Sequence, residues 1–191
     1  MGRIVVSENV SIDGVMQDPT GQEGSAPGGW FARMSDADRA AFGALAAEEA
    51  QGAAALLLGR RTDGWFAAGW STREGAWAER LNGMPKHVVS TTSEPAEWGN
   101  ATVVRYDEVA ALRDRTDGDL VVYGSNRLAT ALLLAGMVDE LRLLLFPVVI
   151  GGGERLFDGG ATIGMRLRDA RRLGDGLVLL TYARTAAASE K

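Results

Sequence analysis

Short runs of β-branched residues and leucine punctuate the chain, and helical spacing follows most of them. Residues 4–6 predict a first strand, 54–58 a buried second, and 87–90, 102–105 and 120–123 three more. Apolar positions at helical spacing follow Ser35 and Asp36, with Phe42, Leu45 and Ala46 on one face. A short helix with Trp65 and Phe66 for packing is expected after Arg60. An amphipathic helix is expected over 108–115, and another over 126–135. Residues 141–150 read as one long apolar strand with a bend or bulge at Pro147. Residues 165–173 and 177–183 read as two strands around Asp175-Gly176, a strong hairpin signal. Residues 11–29 carry Gly, Pro, Asp and Ser at a density that predicts a loop of unusual length, and such loops are often functional.

Strands that alternate with helices predict an α/β domain with a largely parallel sheet and an antiparallel edge. The expected division is one domain over 1–184 and a frayed tail over 185–191. Ligands of such folds sit outside the carboxyl ends of the strands.

Composition narrows the chemistry. There is no cysteine and one histidine, His87, which argues against disulfides, thiolate catalysis and a standard zinc centre. A net charge of −5 argues against a nucleic-acid footprint over the whole protein. The opening residues MGRIVVSENV lack a signal-peptide pattern, and no run approaches the roughly 18–20 apolar residues of a membrane span. A cytoplasmic protein is the expectation.

Three strand ends could carry chemistry. One ends in GRRT, residues 59–62, and another in GSNR, residues 124–127. A glycine lets backbone approach a ligand closely. The first amides of the following helix are unpaired and partly positive, so each end suits an anion, phosphate above all. Arg60 and Arg61 add fork-shaped donors. A third end supplies the hydroxyls of Ser90, Thr91 and Thr92. Together they suit a dinucleotide with a pyrophosphate and an extra phosphate. Taken singly, each glycine also reads as a plain turn and the arginine pair as a solvated helix face. No Walker A sequence and no G-x-G-x-x-G fingerprint is present.

The ordered series SIDG, LLLGRRT, VVSTT, VVYGSNRLATALL and FPVVIGGGERLFDG, spread over roughly residues 3–184, resembles a known family. It is similar to the C-terminal reductase domain of the bacterial bifunctional deaminase–reductase of riboflavin synthesis, within the wider dihydrofolate reductase-like superfamily. The zinc-binding deaminase half is absent from this sequence. The resemblance implies a three-layer α/β fold, with a mixed, mainly parallel sheet flanked by helices and a C-terminal antiparallel hairpin. It implies a homodimer and NADPH as cofactor. The implied activity is hydride transfer to a small heterocycle or ribosylamino-pyrimidine, as in 5-amino-6-(5-phosphoribosylamino)uracil reductase.

Carried over position by position, Gly59, Arg60 and Thr62 would hold cofactor phosphates. Ser90 and Thr91 would lie near the adenosine 2′-phosphate, with Arg60 or Arg61 facing it. Gly124, Ser125, Asn126 and Arg127 would cradle the pyrophosphate. Asp13 and Gly14 would lie near the nicotinamide. Asp38 stands four residues before Phe42, as the acid of dihydrofolate reductases stands before a phenylalanine, and is the candidate proton donor beside Asp13. Trp30 stands eight residues before Asp38, where the family pattern has five. Asp36 and Asp38 equally suit the first turn of a helix, and Asp13 a turn. Two other readings stay open: a ligand-binding protein of this fold without catalysis, and a dihydrofolate reductase-like enzyme acting on a pterin.

Overall fold

The computed structural model describes residues 2–157, 159 and 162–185. Eight strands form one sheet in the order β4-β3-β2-β5-β1-β6-β8-β7. They are β1 (Arg3–Ser11), β2 (Ala53–Gly59), β3 (Lys86–Val89), β4 (Ala101–Val104), β5 (Asp119–Tyr123), β6 (Glu140–Phe146), β7 (Met165–Leu173) and β8 (Leu177–Arg184). From β4 through β6 every pairing is parallel. β8 pairs antiparallel with both β6 and β7, closing the hairpin expected around Asp175-Gly176. The helices are α1 (Asp36–Gly52), α2 (Arg60–Trp70), α3 (Ala76–Gly83), α4 (Val109–Arg115) and α5 (Asn126–Leu134).

Parallel strands buried on both faces need apolar residues on both, and β1 supplies them. Ile4 and Val6 pack with Leu57, Val122, Val109 and Leu132 beneath α4 and α5. Val5 turns the other way, toward Leu58, Trp70, Ala78 and Leu81 beneath α2 and α3. A third cluster under α1 joins Trp30, Leu45, Phe146, Leu177 and Leu179. Here Phe31 stacks on Phe146 at 4.8 Å between centroids. The result is three layers around one sheet.

The 141–150 strand ends earlier than expected. β6 stops at Phe146, because Pro147 has no N–H to continue the ladder. The chain turns there, with the Val148 amide donating to the Phe146 carbonyl at 2.7 Å. α3, with Trp77 near its start, is an element that the hydrophobic pattern did not announce. The long 11–29 loop is ordered by buried Asp18, which accepts from the amides of Glu23 and Ser25 and the Ser25 hydroxyl. An isolated bridge between Val15 and Arg155 ties this loop to the glycine-rich segment near 151–153. Residues 186–191 of the expected tail lie outside the described residues.

Candidate active site

The sheet order brings the three glycine- and hydroxyl-bearing ends together. β3, β2 and β5 are parallel neighbours, so Ser90, Gly59 and Gly124 follow at the same edge of the sheet. Gly59 caps α2 and Ser125 caps α5. α2 follows β2 directly, and only Gly124 and Ser125 separate β5 from α5. The first amides of each helix therefore face outward from the sheet edge without intrahelical acceptors.

The two helix starts are bonded to each other. The Gly59 amide donates to Ser125 Oγ at 2.9 Å, and the Ser125 amide donates to Thr62 Oγ1 at 3.0 Å. The handover at Gly124 and Ser125 uses two consecutive residues in the left-handed region, with φ of 55° and 58°. Glycine is needed at the first of them. A Cβ on Gly124 would meet Thr62 Cγ2 at 3.3 Å, in a conformation that disfavours side chains.

Asn126 braces the same corner by donating from Nδ2 to the Arg155 carbonyl at 3.0 Å. Arg127 is exposed at the start of α5. Arg60 reaches the loop that follows Ser90–Thr92 and donates to the Pro95 and Glu94 carbonyls at 2.6 and 2.7 Å. Arg61 points instead toward Glu154, at 3.3 Å, and stays largely exposed. Ser90 Oγ and Thr92 Oγ1 lie 3.2 Å apart, and Thr91 is exposed. Of the two arginines, Arg60 is the one that accompanies the Ser90 end.

A cavity of about 450 Å³ continues from this corner. Thr62, Gly124, Ser125 and Asn126 line it together with the aromatic rings of Phe42, Trp65, Phe66, Trp70 and Trp77. Its polar floor is built by β1, β5, β6 and α1. Glu49, on α1, accepts from the Ser7 hydroxyl at 3.0 Å, the Tyr123 hydroxyl at 3.3 Å and Arg142 at 3.2 Å. Burial, with the neighbouring Glu49 charge, pushes the Tyr123 hydroxyl well above its ordinary range, so it stays protonated and donates.

Glu8, on β1, also lines the cavity and is almost fully buried. Its Oε2 accepts the Gly124 amide at 3.1 Å. Its Oε1 has no hydrogen-bond partner among the described residues. Burial drives its carboxyl well above the usual carboxylate range, against the Gly124 amide and aided by Glu49. A buried unpartnered carboxylate would be costly, and the neutral acid avoids that cost. The pattern of the sequence did not single out Glu8, and Glu49, which beside Glu48 reads as part of a solvated helix face, is buried against Ser7, Tyr123 and Arg142.

The two expected acids lie elsewhere. Asp38 does not line the cavity. It closes a capping box with Ser35, and its Oδ1 accepts the amides of Asp175 and Gly176 at 2.8 and 3.0 Å. The Gly176 amide foremost, against burial and with the Asp175 and Ser35 amides, holds its carboxyl below the ordinary range. Asp38 thus ties α1 to the β7–β8 hairpin. Asp13 accepts the amides of Ile150 and Gly151 at 3.0 and 2.8 Å and the Ser11 hydroxyl at 2.7 Å. Those bonds, Ile150 first, hold it far below the usual range. Gly14, with φ of 81°, makes the turn beside it, and its carbonyl accepts the Leu156 amide. Asp13 and Gly14 therefore fasten the long loop to residues 150–156 next to the cavity mouth. Among the described residues no cluster of His, Asp or Glu could hold a metal ion.

Three parallel strand ends stand beside one cavity in this α/β domain, and comparison with known proteins places it further. The chain belongs to the family of the RibD C-terminal domain, which matches residues 3–179. The protein YyaP of Bacillus subtilis (strain 168) is 35% identical over 107 residues, 53% of this chain and 56% of that relative, so the match spans little more than half the relative's length. Solved structures share the fold. A candidate riboflavin biosynthesis protein of Shewanella sp. PV-4 superimposes with a TM-score of 0.71 at 18% identity, covering 96% of this chain and 99% of that one. A pyrimidine reductase-like protein of Corynebacterium diphtheriae gives 0.64 at 16% identity, covering 96% and 92%. Dihydrofolate reductase of Enterococcus faecalis, complexed with NADP(H), gives 0.58 at 16% identity, covering 96% and 97%. The dihydrofolate reductase-like three-layer fold expected from the sequence is the fold of this chain.

Proposed function

We propose that this protein is an NADPH-dependent reductase of a small heterocyclic substrate. The observation that carries the reading is the alignment of Gly59–Thr62, Ser90–Thr91 and Gly124–Arg127 at the ends of three neighbouring parallel strands, with Arg61, Thr62 and Gly124–Asn126 also lining a cavity of about 450 Å³. A dinucleotide laid across the ends of adjacent strands needs anion donors at that spacing. The match to a reductase-type domain family and the fold shared with an NADP(H)-complexed enzyme support the same reading.

The residues present fit such a cofactor. The first-turn amides of α2 and α5, with Thr62 and Ser125, would hold the pyrophosphate; Ser90, Thr91 and Arg60 would serve the 2′-phosphate. Gly124 lets the end of β5 pack against Thr62 at the start of α2, which keeps the two helix starts together. The cofactor supplies hydride when bound. The chain supplies the rest: aromatic walls that exclude water, a rigid floor at Glu49, Tyr123 and Arg142, and a loop fastened by Asp13 over the mouth. The family resemblance favours a pyrimidine or related ring as substrate.

Loss of NADPH absorbance in a screen of pyrimidines, ribosylamino-pyrimidines and pterins tests this. Oxidation of NADPH that depends on one of them is the expected outcome. Tight NADPH binding with no turnover on any would favour a ligand-binding protein of the same fold.

A further inference from the structure

Four buried side-chain polar atoms lack a hydrogen-bond partner among the described residues, and two of them, Glu8 Oε1 and Trp77 Nε1, belong to residues that line the same cavity. Buried polar atoms are nearly always paired, so two orphans around one cavity point to a partner that arrives with a ligand. Glu8 is bonded to the amide of Gly124, the residue where the strand-end seat and the cavity meet. It therefore sits on the cavity side of the proposed phosphate seat, where that seat passes into the ring-lined space.

We propose that Glu8 is the proton-holding group of this cavity, and that the substrate brings to it a basic nitrogen on a flat, largely apolar ring. The walls dictate the shape: Phe42, Trp65, Phe66, Trp70 and Trp77 offer ring faces and edges to a planar molecule. The floor dictates the charge. Glu8 is bonded to Gly124 from β5 and lies near Tyr123 of the same strand and Glu49 of α1, and Arg142 of β6 is paired with Ser7 in the sheet rather than with Glu8. Arg142 is held between Glu49 and Glu140, at 3.2 and 2.7 Å. Its one positive charge is shared, so a cation formed beside Glu8 gains a negative surrounding. Burial favours the protonated form of Glu8. In the transfer, the Glu8 O–H bond breaks and an N–H bond forms. Glu8 is left a carboxylate and the ligand a cation, and the pair lies in a setting that strengthens their attraction. A C=N group protonated in this way is the form that accepts hydride. That use in catalysis rests on the reductase reading; the proton transfer does not.

Isoquinoline and naphthalene, which share a shape and differ by one basic nitrogen, make the probe pair. Each is titrated into the whole protein at a pH where free isoquinoline is neutral. The expected result is binding of isoquinoline at least tenfold tighter than naphthalene, with the bound probe showing the absorption of its protonated form. The infrared band of a protonated carboxylic acid should disappear as it binds. Glu8→Gln should lack that band and bind isoquinoline at least tenfold more weakly, in its neutral form. Equal binding of the two probes, bound isoquinoline that stays neutral, or unchanged protonation in Glu8→Gln would overturn the proposal. If Glu8→Gln does not fold, the probe pair and the infrared band on the wild type decide alone. An NADPH titration of the same samples separates the two claims. Protonated isoquinoline without NADPH binding upholds Glu8 and sinks the reductase reading; NADPH binding with neutral isoquinoline does the reverse.

Discussion

Asp38 accepts two backbone amides of the β7–β8 turn with one oxygen, while Glu8 accepts one amide and leaves the other oxygen bare. The contrast sets a fully engaged acid against the one proposed to hold a proton, and it makes opposite predictions. Asp38→Ala strands the amides of Asp175 and Gly176, and should lower stability by about 1–3 kcal/mol. NADPH affinity should be unchanged, because Asp38 is away from the cavity; thermal melts and a titration check both halves. Glu8 should govern pH dependence instead. Its folded-state pKa is raised above the ordinary value of 4.5, so its contribution to stability is fully present below that value. The contribution fades as pH rises above it and is gone once pH passes the raised value. Melting temperatures of wild type and Glu8→Gln, followed from about pH 5 to about pH 9, should diverge, with the wild type falling relative to the variant. Parallel curves would mean that Glu8 is not buried as a neutral acid.

At the scale of elements, the two bonds between the α2 and α5 starts join separate strand ends into one seat. Ser125→Ala removes the acceptor of the Gly59 amide and leaves the Ser125 amide on Thr62. The seat should loosen, with NADPH bound about tenfold more weakly, which is about 1.4 kcal/mol, and little change in the far-ultraviolet circular dichroism. Undiminished affinity would show that the two helix starts act independently. The strand ends themselves were legible in the sequence, because Gly59 and Gly124 interrupt β-branched or leucine runs and helical spacing resumes at once. The hairpin at Asp175-Gly176 was legible for the same local reason. α3 was not, since its aromatic and charged residues make a weak pattern, and its buried Ala78 and Leu81 find their partners in Trp70, Leu56 and Leu58 of other elements. The end of β6 at Phe146 was half legible: Pro147 marked the place, and whether the strand bends or stops there depends on the partner strands. Glu8 and Glu49 were hidden because what marks them is a lack of solvent and of partners, and that exists only once β1, β5 and α1 are assembled. Asp38 stood at the expected spacing, and its surroundings are those of a cap.

For the whole molecule, the sheet order turns separated stretches of sequence into one edge, and the cavity takes its walls from both the α1 side and the α2–α3 side. No described helix is long and apolar enough to cross a membrane. A cofactor spanning three strand ends would cross-link much of the sheet. NADPH at a hundred times its Kd should therefore stabilise the folded state by about 2.7 kcal/mol, read as a rise in melting temperature.

Titration with NADPH and with NADH, followed by tryptophan fluorescence, tests the central claim most directly, since Trp65, Trp70 and Trp77 line the cavity beside the seat. Saturable quenching by NADPH, with at least tenfold weaker binding of NADH, is the predicted result, and Arg60→Ala should erase most of that preference. Absence of binding by either cofactor would contradict the account.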